Sequence, residues 1–514
     1  MWRRLAQWSG LVFALVLAWK LALLVFTAQP VPANDSFFYD GPVVNFLLNG
    51  NYTNPSLALT FPISGNELFS AYPPLYQFLL LGWMKIFGAS ALAAMWLHLA
   101  LYATYMLTLF AILRRVNAPV WCIHLAGLFL LANTFHDRPD SLVHTLGMVA
   151  IYFRIRHEAG ILGSGWLPAI LTLLGMTAGP VIGAMYLFII FGLTCLQFRA
   201  TRRIFDLLPA VVMVVLPPLM IGAVILCRPE WWVGFMEHAR QTPSLSNFRV
   251  PQLVELVKVF RTVPGIFAVA GLALLLRPKI NGLTETSEIL TARTGWVVAL
   301  AAGGIIFACL FFWTANLVHV AGYLQPLIVG CGLAISSRQL DARGWRKIWA
   351  GLFVALGFVS SIRAIGQTTW GVACAADLNH LEAMRIVRQE LETAPSSPPV
   401  ICSAAYLYEA ARHKNLRAIH SDWLGPTARG ATFTYSNALV QLKPQILILT
   451  QFDYYRRYES ILAEFRREPE LVEIKIRNTA GLPPPDAFSA TQKVVQHVSW
   501  APVIVTLSWK SPGE

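Results

Sequence analysis

Two clusters of acidic side chains carry most of the chemical information in this chain: Asn34-Asp35-Ser36-Phe37-Phe38-Tyr39-Asp40 and His136-Asp137-Arg138-Pro139-Asp140. Each sits just beyond the end of a long apolar stretch. A carboxylate held against a bilayer surface is costly to desolvate, so two such clusters mark a candidate for proton-transfer chemistry at the membrane face. The seven cysteines fall mostly inside apolar runs, without CxxC or Cys/His spacing. They indicate neither a metal site nor a disulfide framework, with Cys374 and Cys402 the one pair whose positions admit a bridge.

The elements that must position these clusters are membrane helices. At 56% hydrophobic and 13% charged residues over 514 positions, the composition excludes an ordinary soluble protein. The net charge of +13 is not a nucleic-acid signature, because the Lys and Arg residues stand in short groups between apolar runs. Apolar stretches lie at 8–27, 91–113, 118–134, 140–154, 164–178, 180–197, 207–227, 263–277, 295–314, 320–336 and 346–364. This predicts an α-helical polytopic membrane protein with about eleven spans. The first stretch, after Met1-Trp2-Arg3-Arg4, reads as an uncleaved span. Gly179-Pro180 marks either a hairpin or a kink.

Positive charges set the orientation. Placing Arg3/Arg4, Arg114/Arg115, Arg154/Arg156, Arg199/Arg202/Arg203 and the groups at 277–293 and 338–347 inside puts the N-terminus in the cytoplasm. Both acidic clusters, the segment 228–262 and the C-terminal region then face out. The run 73–88 is predicted to lie along the outer interface, with Tyr72, Tyr76, Trp83 and Lys85 at headgroup level. A second interfacial helix is expected at 251–261. From about residue 370, strand-like stretches at 400–404, 445–450, 471–477 and 503–508 alternate with helical patterns at 405–413 and 454–467. The expected organisation is a membrane module over 1–369 and an extracytoplasmic α/β domain over 370–514.

The first outer loop then resembles a known pattern. Asp35 and Tyr39, Leu47-Leu48-Asn49-Gly50, Tyr72-Pro73-Pro74-Leu75-Tyr76 and Lys85-Ile86-Phe87-Gly88 look like the loop of the GT-C superfamily of polyprenyl-phosphate-sugar-dependent glycosyltransferases. Protein O-mannosyltransferases and lipid A aminoarabinose transferases are members. Arg138-Pro139-Asp140 is similar to the second acidic loop of that superfamily, and Tyr323-Leu324-Gln325-Pro326 to a later Tyr-Leu-x-Pro segment. The resemblance implies a multi-pass inner-membrane enzyme that inverts the anomeric centre. Its donor would be a polyprenyl-phosphate-linked sugar and its acceptor a hydroxyl on a lipid, glycan or protein.

The resemblance implies Asp35 as the general base, the competing reading being an Asx turn or helix cap. Asp140 either orients the acceptor or supports a metal, or else caps the following helix. A divalent metal is left open, since branches of the superfamily differ. Asp40 reads as a solvated loop acid that together with Tyr39 and Tyr323 is within the substrate-binding set. Cations on the outer side run against the positive-inside trend, and His136, Arg138, Lys258, Arg261 and His319 are candidates to hold the lipid phosphate. Lys20, inside the first span, reads as snorkelling outward. The chain departs from the superfamily at Met176-Thr177-Ala178-Gly179 and at Ala321-Gly322, where many members carry a cation. Two other classes stay open: a flippase for lipid-linked glycans, and a non-catalytic scaffold that kept the fold.

Overall fold

The computed structural model describes residues 10–28, 36–57, most of 61–132, 139–158, most of 165–241, isolated helical positions between 326 and 365, and 380–394, 399–411, 416–417, 435–454, most of 459–478 and 501–510. A helix occupies each apolar stretch up to residue 227: α1 Leu11–Thr27, then, beyond the first loop, α4 Ala91–Arg115, α5 Val120–Ala132, α6 Pro139–Glu158, α7 Trp166–Ala178, α8 Pro180–Thr201 and α9 Leu208–Cys227. The first loop itself contributes α2 Gly41–Asn49 and α3 Leu75–Phe87, and α10 Pro229–Gln241 follows α9. Among the described residues, α4 and α9 are long and apolar enough to cross a membrane. On α9 the exposed face is Val211, Val214, Val215, Leu219, Ile221 and Val224. An apolar band of that extent is a lipid-facing surface, because water would penalise it and the helix already satisfies its own backbone. The stretches 263–277 and 295–314 and the helix expected at 251–261 lie outside the described residues.

The break at Gly179-Pro180 is a hairpin. Gly179 has extended backbone, and Pro180 starts α8 where its missing N–H costs nothing. A Cβ on Gly183 would stand 2.6 Å from the Met176 Cα, so α7 and α8 fold back on each other at backbone contact. Both helices then pack on α6.

Beyond residue 380, α11 His380–Thr393 accompanies a five-stranded sheet: β1 Val400–Cys402, β2 Leu416–Arg417, β3 Ile446–Thr450, β4 Leu471–Asn478 and β5 Pro502–Trp509, in the order β2-β1-β3-β5-β4. Four of these strands fall where β-rich apolar runs predict them, and the two-residue β2 was not expected. Within the helical patterns expected over 405–413 and 454–467, the described residues form helix at Leu407–Ala410 and Glu459–Phe465. Strands β1, β2 and β3 are parallel, whereas β5 runs antiparallel to β3 and β4.

Alternation along the strands gives the sheet two apolar faces. Ile401, Leu447, Leu449, Val503, Val505 and Leu507 pack with Leu439, Leu462 and Phe465 of the neighbouring helices. On the opposite face, Cys402 and Ile448 join Met384, Val387, Tyr406 and Tyr408 in a core continuous with that of the helical region. Cys402 is a buried free thiol, and Cys374 lies outside the described residues.

Candidate functional site

The first loop folds around aromatic side chains. Phe38 meets Tyr39, Phe61, Phe69 and Tyr72 edge-on at centroid separations of 5.3–5.8 Å, and Tyr39 meets Tyr72 at 5.1 Å. Edge-to-face contacts of this kind favour one arrangement of the rings over others. They fix the turn Ser36–Tyr39 and deliver Asp40 to the start of α2. Gly41 and Pro42 then open the helix: Pro supplies the helical φ, and a Cβ on Gly41 would meet the Asn54 carboxamide at 2.7 Å. Tyr39 is therefore buried in this cluster.

Asp40 overturns its reading as a solvated loop acid. It is fully buried, and although it occupies the N-cap position its side chain does not cap the helix. Both carboxylate oxygens instead accept from tyrosines, Oδ1 from the Tyr76 hydroxyl at 3.0 Å and Oδ2 from the Tyr408 hydroxyl at 2.7 Å. Burial pushes its carboxyl up to about 7, with the Tyr408 and then the Tyr76 hydrogen bonds opposing that rise.

The network continues inward. The Tyr76 oxygen lies 3.1 Å from His98 Nε2, and His98 Nδ1 lies 3.2 Å from Ser141 Oγ. Tyr76, His98 and Ser141 are all buried, and Ser141 follows the buried Asp140 in the first turn of α6. A buried chain of hydrogen bonds thus runs Tyr408, Asp40, Tyr76, His98, Ser141, from the last residue of the first acidic cluster to the residue that follows the second. Such networks are strong when fully satisfied and costly when cut.

The placement of Tyr76 at headgroup level is corrected by the same geometry. The helix at 75–87 exists, but its Tyr76, Gln77, Leu80 and Met84 face is buried while Phe78, Ile86 and Phe87 are exposed. Trp83 donates to the Ala93 carbonyl at 2.8 Å and so ties α3 to α4. The Lys20 ammonium donates to the Leu131 carbonyl at 2.9 Å and lies over the Tyr102 ring, so it has partners within the protein. The N-terminal part of α10 carries Trp231, Trp232 and Phe235 in stacked contact, and Glu237 further along accepts from the Ile63 N–H at 3.3 Å, which folds this helix onto the first loop.

Of the residues predicted for the site, Tyr39, Asp40 and Asp140 are among the described residues: Tyr39 and Asp40 are neighbours in the first loop, and Asp140 is buried in the first turn of α6, one residue before Ser141. Asp35, His136, Arg138, Lys258, Arg261, His319 and Tyr323 lie outside the described residues. Among the described residues no three His, Cys, Asp or Glu side chains gather as a metal cluster. His98, Ser141 and Tyr408 went unpredicted. A histidine and a serine in apolar runs were a usable signal, since polar groups there seek partners. Nothing local in the sequence singles out Tyr408.

The chain is similar to ArnT from Cupriavidus metallidurans. Two crystal structures of that protein, one bound to undecaprenyl phosphate and one in the apo state, each align over 97% of this chain and 98% of their own, with a TM-score of 0.42 and 14% identity. No family model matches the sequence, and no curated protein matches it. At that distance the functional reading rests on the residues of this chain.

Proposed function

We propose that this protein is an integral membrane glycosyltransferase that moves a sugar from a polyprenyl-phosphate donor to an acceptor hydroxyl at the outer face of the inner membrane. The observation that supports the reading is the buried hydrogen-bond chain from Asp40 to Ser141, which links the first acidic segment to the helix that the second one opens. Asp35, five residues before Asp40, takes the acceptor proton as the new bond forms at the anomeric carbon. One displacement by one base gives inversion, since no covalent intermediate restores the starting configuration. The phosphate leaves as an anion and needs no acid, but its growing charge needs donors. Arg138, Lys258 and Arg261, with His136 and His319, are assigned that task, and Tyr323 is assigned to substrate binding. Asp140 orients the acceptor. Asp40 is reassigned from substrate contact to holding the first acidic segment in place.

In this reading the N-terminus is cytoplasmic and the sheet region over 370–514 is extracytoplasmic, covering the outer vestibule. The donor enters sideways from the bilayer, because nucleotide sugars are not generally supplied on that side. The test is Asp35→Asn in cells, with mass analysis of lipid-linked sugars and envelope glycans. Loss of one sugar linkage and accumulation of its donor lipid, with the variant still in the membrane, is the expected result. Unchanged glycans in the Asp35→Asn strain would instead favour a flippase or a scaffold.

A further inference from the structure

Asp40 is sealed from water, yet burial raises its carboxyl to about 7, where it changes charge near neutrality. A group that titrates there has to exchange its proton with a neighbour. Its two oxygens bond only Tyr76 and Tyr408 among the described residues. The other titratable groups that the described elements bring to this place are Tyr39 on its own segment, His98 on α4, Asp140 at the head of α6, and Glu409 next to Tyr408 in the sequence. Of the two tyrosines, Tyr76 leads onward, to His98 and then Ser141, and all of these are buried.

Each of these three side chains can both give and take a proton. Tyr76 and Ser141 are hydroxyls, and a neutral imidazole donates with one ring nitrogen while accepting with the other. The links measure 3.0 Å from Tyr76 to Asp40 Oδ1, 3.1 Å from Tyr76 to His98 Nε2 and 3.2 Å from His98 Nδ1 to Ser141 Oγ, so no link is longer than a hydrogen bond. The helices that carry them are fastened beside the chain. Trp83 ties α3 to α4 through the Ala93 carbonyl, and one turn beyond His98 and Ser141 the Thr145 hydroxyl of α6 donates to the Leu101 carbonyl of α4 at 3.1 Å. The Tyr76 and His98 rings lie 5.9 Å apart with their planes 30° from parallel.

We propose that Ser141, His98 and Tyr76 form a proton relay through which the buried Asp40 exchanges its proton with the head of α6. One proton enters at Ser141 and one arrives on Asp40. Ser141 passes its hydroxyl proton to His98 Nδ1 and takes another from an acid at the helix start, where Asp140 is the adjacent residue. His98 passes the proton on Nε2 to the Tyr76 oxygen, and Tyr76 passes its own to Asp40 Oδ1. His98 ends as neutral as it began, because it gains a proton at one nitrogen and loses one at the other. Every bond of the relay is then reversed: Asp40 donates to Tyr76, Tyr76 to His98 Nε2, and His98 Nδ1–H to Ser141, while Tyr408 still donates to Oδ2. The tautomer of His98 therefore reports the charge on Asp40, whereas a static brace would keep one tautomer at every pH. The relay stands apart from the proposed sugar transfer and is tested without it.

The experiment is solid-state NMR of the full-length, isotope-labelled protein in lipid bilayers, with His98 assigned through its neighbours Leu97 and Leu99. Protonated and bare ring nitrogens resonate far apart, so the tautomer is read directly. In the parent protein His98 is expected to carry its proton on Nε2 at high pH and on Nδ1 at low pH, with a midpoint of about 7 that coincides with the titration of the Asp40 carboxyl carbon. A single tautomer throughout, a ring protonated at both nitrogens, or a midpoint apart from that of Asp40 overturns the relay. This reading needs no variant, so it holds even if a substitution fails to fold. In Ser141→Ala, which removes the acceptor for Nδ1–H, the switch is expected to be lost with Nε2 protonated at every pH. In Asp40→Asn the tautomer is expected not to change with pH. A switch retained in either folded variant overturns the place of that residue at its end of the relay.

Discussion

His98 and Tyr76 share a hydrogen bond of 3.1 Å in which the imidazole is the donor. Tyr76 has one proton, and it is committed to Asp40 Oδ1. His98 must then present Nε2–H to the tyrosine oxygen and accept from the Ser141 hydroxyl at Nδ1. With Asp40 ionised, every donor in the chain points toward the carboxylate, which opposes the rise that burial imposes on it.

His98→Leu should therefore be expensive. It leaves the Ser141 hydroxyl without this acceptor and the Tyr76 oxygen without this donor in a buried site, at a cost of about 2–4 kcal/mol. Thermal unfolding in detergent should show the loss. In the pair His98→Leu with Tyr76→Phe, the combined cost should be less than the sum, because both changes cut the same bond. Strict additivity would mean that the two residues do not share a network.

Asp40 gives a pH signature. Its carboxyl is raised to about 7 in the folded protein by burial, so between the ordinary carboxylate range and about 7 the folded state binds a proton that the unfolded state has lost. The stability from this group is therefore fully present below pH 4 and is lost as pH rises through about 7. The melting temperature, followed from pH 5 to pH 8, should fall more steeply in the parent protein than in Asp40→Asn. Parallel curves would show that Asp40 does not titrate in that window.

Helix positions and strand positions were readable because their signals are local: apolar runs long enough to span, and alternating β-rich stretches ended by polar residues. Asp140 at the head of α6 was readable for the same reason. The environment of Asp40 was not, because it depends on Tyr76 on a helix whose one buried face no hydropathy average reveals, and on Tyr408, hundreds of residues away. A loop acid and a buried, doubly hydrogen-bonded acid look alike until the chain is folded. Lys20 carried the same ambiguity, since a lysine near the end of a span serves equally well at a headgroup or at a carbonyl of a neighbouring helix.

Lys20→Met separates those two roles. The Lys20 ammonium donates to the Leu131 carbonyl of α5 at 2.9 Å, a part-buried charged hydrogen bond between two helices. Methionine preserves most of the volume but removes the donor, which should cost about 1–2 kcal/mol of stability. The donor KM should not change. A selective rise in donor KM at unchanged melting temperature would instead make Lys20 a phosphate contact.

Gly183→Ala tests how α7 and α8 are joined. The added methyl carbon would stand 2.6 Å from the Met176 Cα and 2.7 Å from its backbone nitrogen, and neither atom can swing aside as a side-chain terminus can. The two helices would have to part, which also loosens their common packing on α6 and hence the frame that holds Ser141. Overpacking at backbone contact should cost about 3 kcal/mol or more. Gly222→Ala is the matched control: it lies within α9, where a Cβ meets nothing within 4 Å, and it should be neutral or slightly stabilising through helix propensity. Equal melting temperatures for the two variants would rule out the close hairpin and restore a kinked, continuous helix at Gly179-Pro180.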